Sequence, residues 1–153
     1  MKELKVSLSL TILPPGYTCD GEDISPPVRV NGIDNELSKC LALILDDPDA
    51  PGGKGFVHWL MWDMELVSVI PEKIPKDPVV SFPISAVQGT NGFRKIGYSG
   101  PCPPRGQEHR YFFKVYGLDT LTGLAPGSGK DRLVQAMQGH VVQYGEAMAR
   151  FGH

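Results

Sequence analysis

The chain has no long hydrophobic run. Its longest strongly apolar stretch, Leu41 to Leu45, is far too short to cross a bilayer. No apolar segment with a small-residue cleavage site opens the sequence; Leu4 to Leu13 alternates instead. The expectation is a soluble cytoplasmic protein with no stable membrane insertion. Charge of one sign is also lacking. The formal net charge is −2, and Lys and Arg are scattered singly. Neither a whole-chain field nor a basic stripe with interleaved aromatics is therefore available for nucleic acid. Cysteine is scarce: Cys19, Cys40 and Cys102 are an odd number without metal-ligand spacing. A cytoplasmic address implies reduced thiols, the cytoplasm of hyperthermophiles being the exception. There is no G-x-S-x-G elbow, Walker A loop or Rossmann fingerprint. That argues against α/β-hydrolases, P-loop enzymes and dinucleotide enzymes, and no cofactor is implied.

What is present is turn-forming. The 153 residues suit a single domain over 1–153. The 18 glycines and 14 prolines punctuate the chain rather than forming one linker. Between them lie strand patterns. Val6 to Leu13 places Val6, Leu8, Leu10 and Ile12 on one face and reads as a half-buried strand. Val28 to Val30 is a short strand after Ser25-Pro26-Pro27. Cys40 to Leu45 is continuously apolar, as a strand buried on both faces is, and Phe56 to Met64 is a second such run. Arg110 to Leu118 alternates again and reads as a core strand. Only the end of the chain has helical period: Leu133, Met137, Val141, Tyr144, Met148 and Phe151 recur every three to four residues. Gly139 and Gly145 weaken that stripe, so two short helices broken near Gly139 are expected. Strands first and helix last predict a mainly β fold, a two-sheet β-sandwich with short C-terminal helices.

Three clusters could carry chemistry. Asp46-Asp47-Pro48-Asp49-Ala50-Pro51 follows a buried strand directly. Carboxylates at the mouth of a core are costly unless compensated. Either they orient imidazoles or bind a cation, or they close Asx turns on their own backbone. His58 lies inside an apolar strand, where a histidine is more commonly a satisfied core residue than a ligand. Gly97 to Tyr111 is a Gly/Pro loop that delivers His109, Arg110 and Tyr111 to the start of a core strand. Glycine lets N–H groups approach a ligand closely, proline fixes the loop shape, and successive N–H groups can form an anion nest. Protonated imidazoles donate two hydrogen bonds, and a neighbouring carboxylate raises their pKa and keeps that form populated. This set suits a small anion. No paired nucleophile and base is visible in the sequence; Ser99 near His109 is the only candidate for one, and a poor one. His58, His109 and Asp47 could instead form a two-His-one-carboxylate metal site, although no H-x-H or H-x-x-x-H spacing supports it.

These clusters, in this order, resemble the phosphatidylethanolamine-binding family, also called the Raf-kinase-inhibitor-like family. Asp47-Pro48-Asp49-Ala50-Pro51 looks like its first signature and His58-Trp59 like the histidine strand that follows. Gly100-Pro101-Cys102-Pro103-Pro104 through His109-Arg110-Tyr111 looks like its second signature. Tyr17 to Pro27 is similar to the opening of its bacterial and archaeal branch, and Gln88 to Phe93 and Gly139-His140-Val141 match in place. The resemblance implies a two-sheet Greek-key sandwich whose end pocket accepts phosphate-like anions or phosphorylated headgroups. Carried over by position, Asp47 and Asp49 supply acidic groups, His58 and His109 the imidazoles, and Tyr111 a phenol. Gly100, Pro103 and Pro104 shape the wall. The implied role is a non-enzymatic regulator, an inhibitor of serine peptidases or kinases. The alternative is a metal-dependent or acid–base hydrolase built on His58, His109 and Asp47. The chain departs from the family pattern at Arg29-Val30, Gly92 and Arg94, which bears on ligand size.

Ala50-Pro51 or Pro103-Pro104 is expected to be cis, because tight functional turns collect such bonds. Cys19 and Cys102 both fall in motifs of the pocket end. A disulfide between them requires Cα atoms within about 7 Å, while Cys40 should be buried and inert. Thr122 to Gly129 is the best candidate for a peptidase-inhibiting loop. Leu124 beside Ala125, stiffened by Pro126, would enter a chymotrypsin-like or elastase-like cleft. Alternatively Leu124 pins the loop to the core, and its exposure separates the two readings.

Overall fold

The apolar runs and alternating stretches in the middle of the chain become paired strands. The computed structural model describes residues 1–153. It contains β1 (Lys2–Glu3), β2 (Lys5–Ser7), β3 (Val28–Asn31), β4 (Cys40–Asp47), β5 (Phe56–Met64), β6 (Val69–Ile70), β7 (Val79–Val80), β8 (Ala86–Gln88), β9 (Glu108–Leu118), α1 (Lys130–Met137) and β10 (Val141–Gly152). A seven-stranded sheet runs β1-β10-β9-β4-β5-β8-β7 and a three-stranded sheet runs β2-β3-β6. After a long irregular stretch β9 returns to pair antiparallel with β4, the long return connection of a Greek key.

The central strand β4 is apolar on both sides, and two cores form on it. All of its residues are buried. Leu41, Leu43 and Leu45 face the small sheet and join Val28, Val30, Ile70, Trp59, Met61, Phe113 and Val115. Cys40, Ala42 and Ile44 face the other way, where Leu60, Trp62 and Leu118 meet Leu133 and Met137 of α1. Each large apolar side chain so buried contributes about 1.5–3 kcal/mol, and a slip of one residue would exchange the two rows. The register therefore carries through to the strand end. Asp47 continues the inner row and Asp46 the outer one, where Asp46 Oδ2 takes Lys114 Nζ at 3.1 Å and Lys130 Nζ at 3.6 Å.

The C-terminal stripe is the main departure from expectation. Helix α1 ends at Met137, and Gly139 turns the chain with φ +80°. The second expected helix is instead the long strand β10, paired antiparallel along β9. Its sequence fits either period. The open edge of β9, whose N–H and C=O groups need partners, outweighs a helix propensity already weakened by glycine. In β10 Gln143, Gly145, Ala149 and Phe151 are buried, while Glu146, Met148 and Arg150 are exposed. The N-terminal strand is shorter than its alternation. Only Lys5–Ser7 pairs, with β3. Leu10 and Ile12 are exposed, because beyond Ser7 the chain finds only a single bridge, from Ile12 to Arg150. The cis bond is Phe82-Pro83, not Ala50-Pro51 or Pro103-Pro104. Two of the three cysteines are not thiols: Cys19 and Cys102 form a disulfide across Cα atoms 5.4 Å apart. Cys40 is free, and burial pushes its thiol up to about 11. No helix is long and apolar enough to cross a membrane.

Candidate functional site

The inner rows of β4, β5 and β9 converge at one end of the sandwich. β4 brings Asp47, and β9 enters with His109 and Tyr111 ahead of Phe113 and Val115. In β5 the alternation is interrupted. Leu45 pairs with Trp59 but Asp46 with Val57, so His58 is an extra residue in the ladder. Trp59 packs in the inner cluster and Val57 against the outer one. Simple alternation from Trp59 would send His58 outward; the bulge turns it in. The His58 ring accordingly lies 5.4 Å from that of Tyr111 and 5.2 Å from that of Phe56. The result is a cavity of about 140 Å³ lined by Asp47, His58, His109, Tyr111, Pro103 and Pro104, with Ala50, Pro51, Phe56, Phe93 and Cys102 completing the wall.

Both readings of the acidic cluster are realised in one carboxylate. Asp47 Oδ1 accepts the Asp49 N–H at 2.8 Å, an Asx turn, and Oδ2 lies 2.7 Å from His109 Nδ1. His109 Nε2 is 2.9 Å from Gln107 Oε1. His58 Nδ1–H donates to the Ser99 carbonyl at 2.7 Å. A carbonyl can only accept, so this bond fixes the ring's tautomer and leaves Nε2 for other partners. Burial lowers the His58 pKa, although the Ser99 carbonyl and the Asp47 carboxylate pull it upward. The expectation that a carboxylate keeps His58 protonated is thus corrected: at 3% exposure, loss of hydration outweighs attraction. Burial likewise raises the Tyr111 phenol, with Asp47 adding to the effect. The Tyr111 hydroxyl is buried and has no partner in the protein, which costs about 1–3 kcal/mol.

Not every candidate joins this cavity. The Asp49 carboxylate accepts from Arg110 N at 2.9 Å, Nε at 3.0 Å and Nη2 at 2.9 Å. The guanidinium holds its pKa down at about 2. Gly100 lies behind the wall. Its N–H donates to Asp23 Oδ1 at 2.7 Å, and a Cβ there would stand 2.2 Å from the Tyr17 carbonyl oxygen. Leu124 is half-buried against the outer cluster, and its carbonyl accepts from Trp62 Nε1 at 3.1 Å. The turn before it is held by Asp63, which accepts from Thr122 N at 2.7 Å and Gly123 N at 3.0 Å. That is the pinning arrangement, with Ala125 exposed beside it. The Ser99 hydroxyl accepts from Asn91 Nδ2 at 3.0 Å while His58 meets the Ser99 carbonyl, so no Ser–His pair forms. Phe56 and Phe93 were missed by sequence reasoning. Their rings pack at 4.7 Å, and Phe93 lies 5.6 Å from His58; the only signal for Phe93 was its place in the Gln88 to Phe93 run.

Comparison with known proteins places the chain and its fold in a family. Residues 6–152 match the family model for phosphatidylethanolamine-binding protein. A UPF0098 protein of Pyrococcus horikoshii is 50% identical over 140 residues, covering 91% of this chain and 70% of that protein. A phosphatidylethanolamine-binding protein homologue of Chlamydia trachomatis superposes with a TM-score of 0.86 at 31% identity, over 100% of this chain and 99% of its own. YbcL of E. coli, a member of the same family, gives 0.87 at 26% identity over 98% of both chains. Fold and site together define a mainly β sandwich with a histidine-lined end cavity. The chain belongs to the phosphatidylethanolamine-binding protein family.

Proposed function

We propose that this chain is a non-enzymatic binding protein that takes a phosphate-like anion, free or as a phosphorylated headgroup, into the cavity of His58, His109 and Tyr111. The observation that carries the reading is the buried Tyr111 hydroxyl without a protein partner, beside the free Nε2 of His58. A tetrahedral oxyanion gives the phenol an acceptor. A protonated oxygen of the same anion gives neutral His58 Nε2 a donor. Asp47 orients His109, and the aromatic and proline wall limits water, which strengthens each polar contact. A cavity of about 140 Å³ suits a headgroup rather than acyl chains. Regulation of a serine peptidase or kinase is the finer part of the proposal and rests on the family resemblance. Half-burial of Leu124 moves the proposed inhibitory contact from Leu124-Ala125 to the loop 50–55, which is largely exposed and begins at the cavity rim. A cytoplasmic address belongs to the same reading, in a compartment that tolerates the Cys19–Cys102 disulfide. Crystals soaked in inorganic phosphate test the site. Density within hydrogen-bond reach of Tyr111 Oη and His58 Nε2 is expected. Phosphate bound only elsewhere, or not at all, would sink the reading.

A further inference from the structure

Beyond the Pro103 wall lies a second cluster of chemistry-bearing side chains. Cys19 and Asp20 follow the turn at Pro15–Tyr17, Cys102 sits between Pro101 and Pro103, and His153 follows β10. Cys19 Sγ, an Asp20 carboxylate oxygen and a His153 ring nitrogen all lie within 4.8 Å of one another. Cys102 Sγ joins them through its bond to Cys19. Cys19 Sγ, the Asp20 oxygen and the His153 nitrogen are three donors of a zinc-type set, and Cys102 Sγ, held beside them by its bond to Cys19, is the available fourth.

The pose of His153 is an independent observation. Its Nε2–H donates to the Pro103 carbonyl, which leaves Nδ1 as the ring nitrogen a metal can take. Nδ1 faces the cluster and donates an N–H to Asp20 Oδ2 at 2.8 Å, a proton that a metal ion would displace. Metal-bound histidines are held in this way, the far ring nitrogen donating to a carbonyl or carboxylate. The two cysteine segments are also tied together without the disulfide. Cys19 N donates to the Pro101 carbonyl at 3.1 Å, and Gly106 N to the His153 carbonyl at 2.8 Å. Reduction therefore leaves the donors near one another.

We propose that the Cys19–Cys102 crosslink is exchangeable: once a dithiol reductant opens it, Cys19, Cys102, His153 Nδ1 and Asp20 hold one zinc-class divalent ion. In the reduction the dithiol gives up two electrons and two protons and closes to its own disulfide. Each cysteine sulfur takes one electron and one proton. Metal binding then releases both thiol protons, and the proton held between His153 Nδ1 and Asp20, to solvent. Tetrahedral zinc with Zn–S bonds of about 2.3 Å sets the sulfurs roughly 3.8 Å apart. Rotation about the Cα–Cβ bonds reaches that separation from Cα atoms 5.4 Å apart. The ion closes the same loop as the disulfide and keeps Cys102 in the wall of the anion cavity.

The test uses the full chain, reduced with a phosphine, desalted without oxygen and titrated with Co²⁺ and then Zn²⁺ beside untreated protein. Reduced protein is expected to bind one equivalent of Co²⁺ with a thiolate-to-cobalt charge-transfer band. Zn²⁺ should displace the Co²⁺ and recover part of the thermal midpoint lost on reduction. Oxidised protein should show no band. Cys19→Ser and Cys102→Ser should lose the band. His153→Ala should weaken binding by at least about tenfold, the lower end for losing even an outer-shell partner. His140→Ala, at an exposed histidine paired with Asp119 elsewhere, should leave binding unchanged. The contrast between reduced and oxidised wild type needs no variant to fold. No binding by reduced protein, equal binding by oxidised protein, or a band that survives Cys19→Ser overturns the proposal.

Discussion

Tyr111 and His58 set the chemistry of the cavity through polar atoms that the protein itself leaves unpartnered. Replacing Tyr111 by Phe removes a buried hydroxyl that bonds nothing in the protein. Thermal stability should hold or rise by up to about 1 kcal/mol, while phosphate affinity falls by about tenfold, the worth of one hydrogen bond to a charged group. Denaturation and titration of the same sample separate the two effects. The pH dependence follows from His58. Burial lowers its folded pKa, so the unfolded chain binds more protons between that value and the unfolded value near about 6.5. Without anion, the His58 contribution makes stability fall as pH drops through that window. Sulfate has no proton to offer Nε2, so its binding draws a proton onto the ring. Its affinity should rise as pH falls, and saturating sulfate should shrink the acid loss of stability. A flat sulfate profile would remove His58 from the site.

Among the elements, β4, β5 and β9 were legible because burial on one or both faces forces an unambiguous pattern. Cys40 to Leu45 is apolar throughout, and Arg110 to Leu118 alternates. β10 was not legible, because Val141, Tyr144, Met148 and Phe151 fit a helical stripe and the partner that decides against it, β9, lies in another part of the sequence. The direction of His58 was hidden for a related reason: the bulge exists only in the pairing of β5 with β4. That Asp47 would meet an imidazole was expected, but the departure of Asp49 to Arg110 was not, since alternation places neither side chain beyond the strand end. The loop before α1 carries its own prediction. Leu124→Asp places a charge against the outer cluster and should cost about 1–3 kcal/mol in denaturant unfolding. Unchanged stability with loss of peptidase inhibition would instead return Leu124 to the inhibitory role.

At the scale of the whole molecule, the sheet brings together residues from positions 47, 58, 109 and 111, and no local spacing in the sequence announces that meeting. The ordered resemblance of several motifs identified the residues; the three strand ends supply the reason they meet. The disulfide closes the same end across a sequence separation of 83. Reduction in the absence of metal should lower stability by roughly 2–5 kcal/mol, chiefly by freeing the unfolded chain. Reductant-dependent denaturation measures this, and no change would mean that the Cys19 N–H and Gly106 N–H bonds alone hold the loop. The most direct test of the anion cavity is calorimetric titration with inorganic phosphate of wild type, His109→Ala and Tyr111→Phe, each first shown to be folded by circular dichroism. Wild type is expected to bind one phosphate saturably and both variants at least about tenfold more weakly. Equal binding by all three proteins, or no saturable binding by wild type, would contradict the assignment.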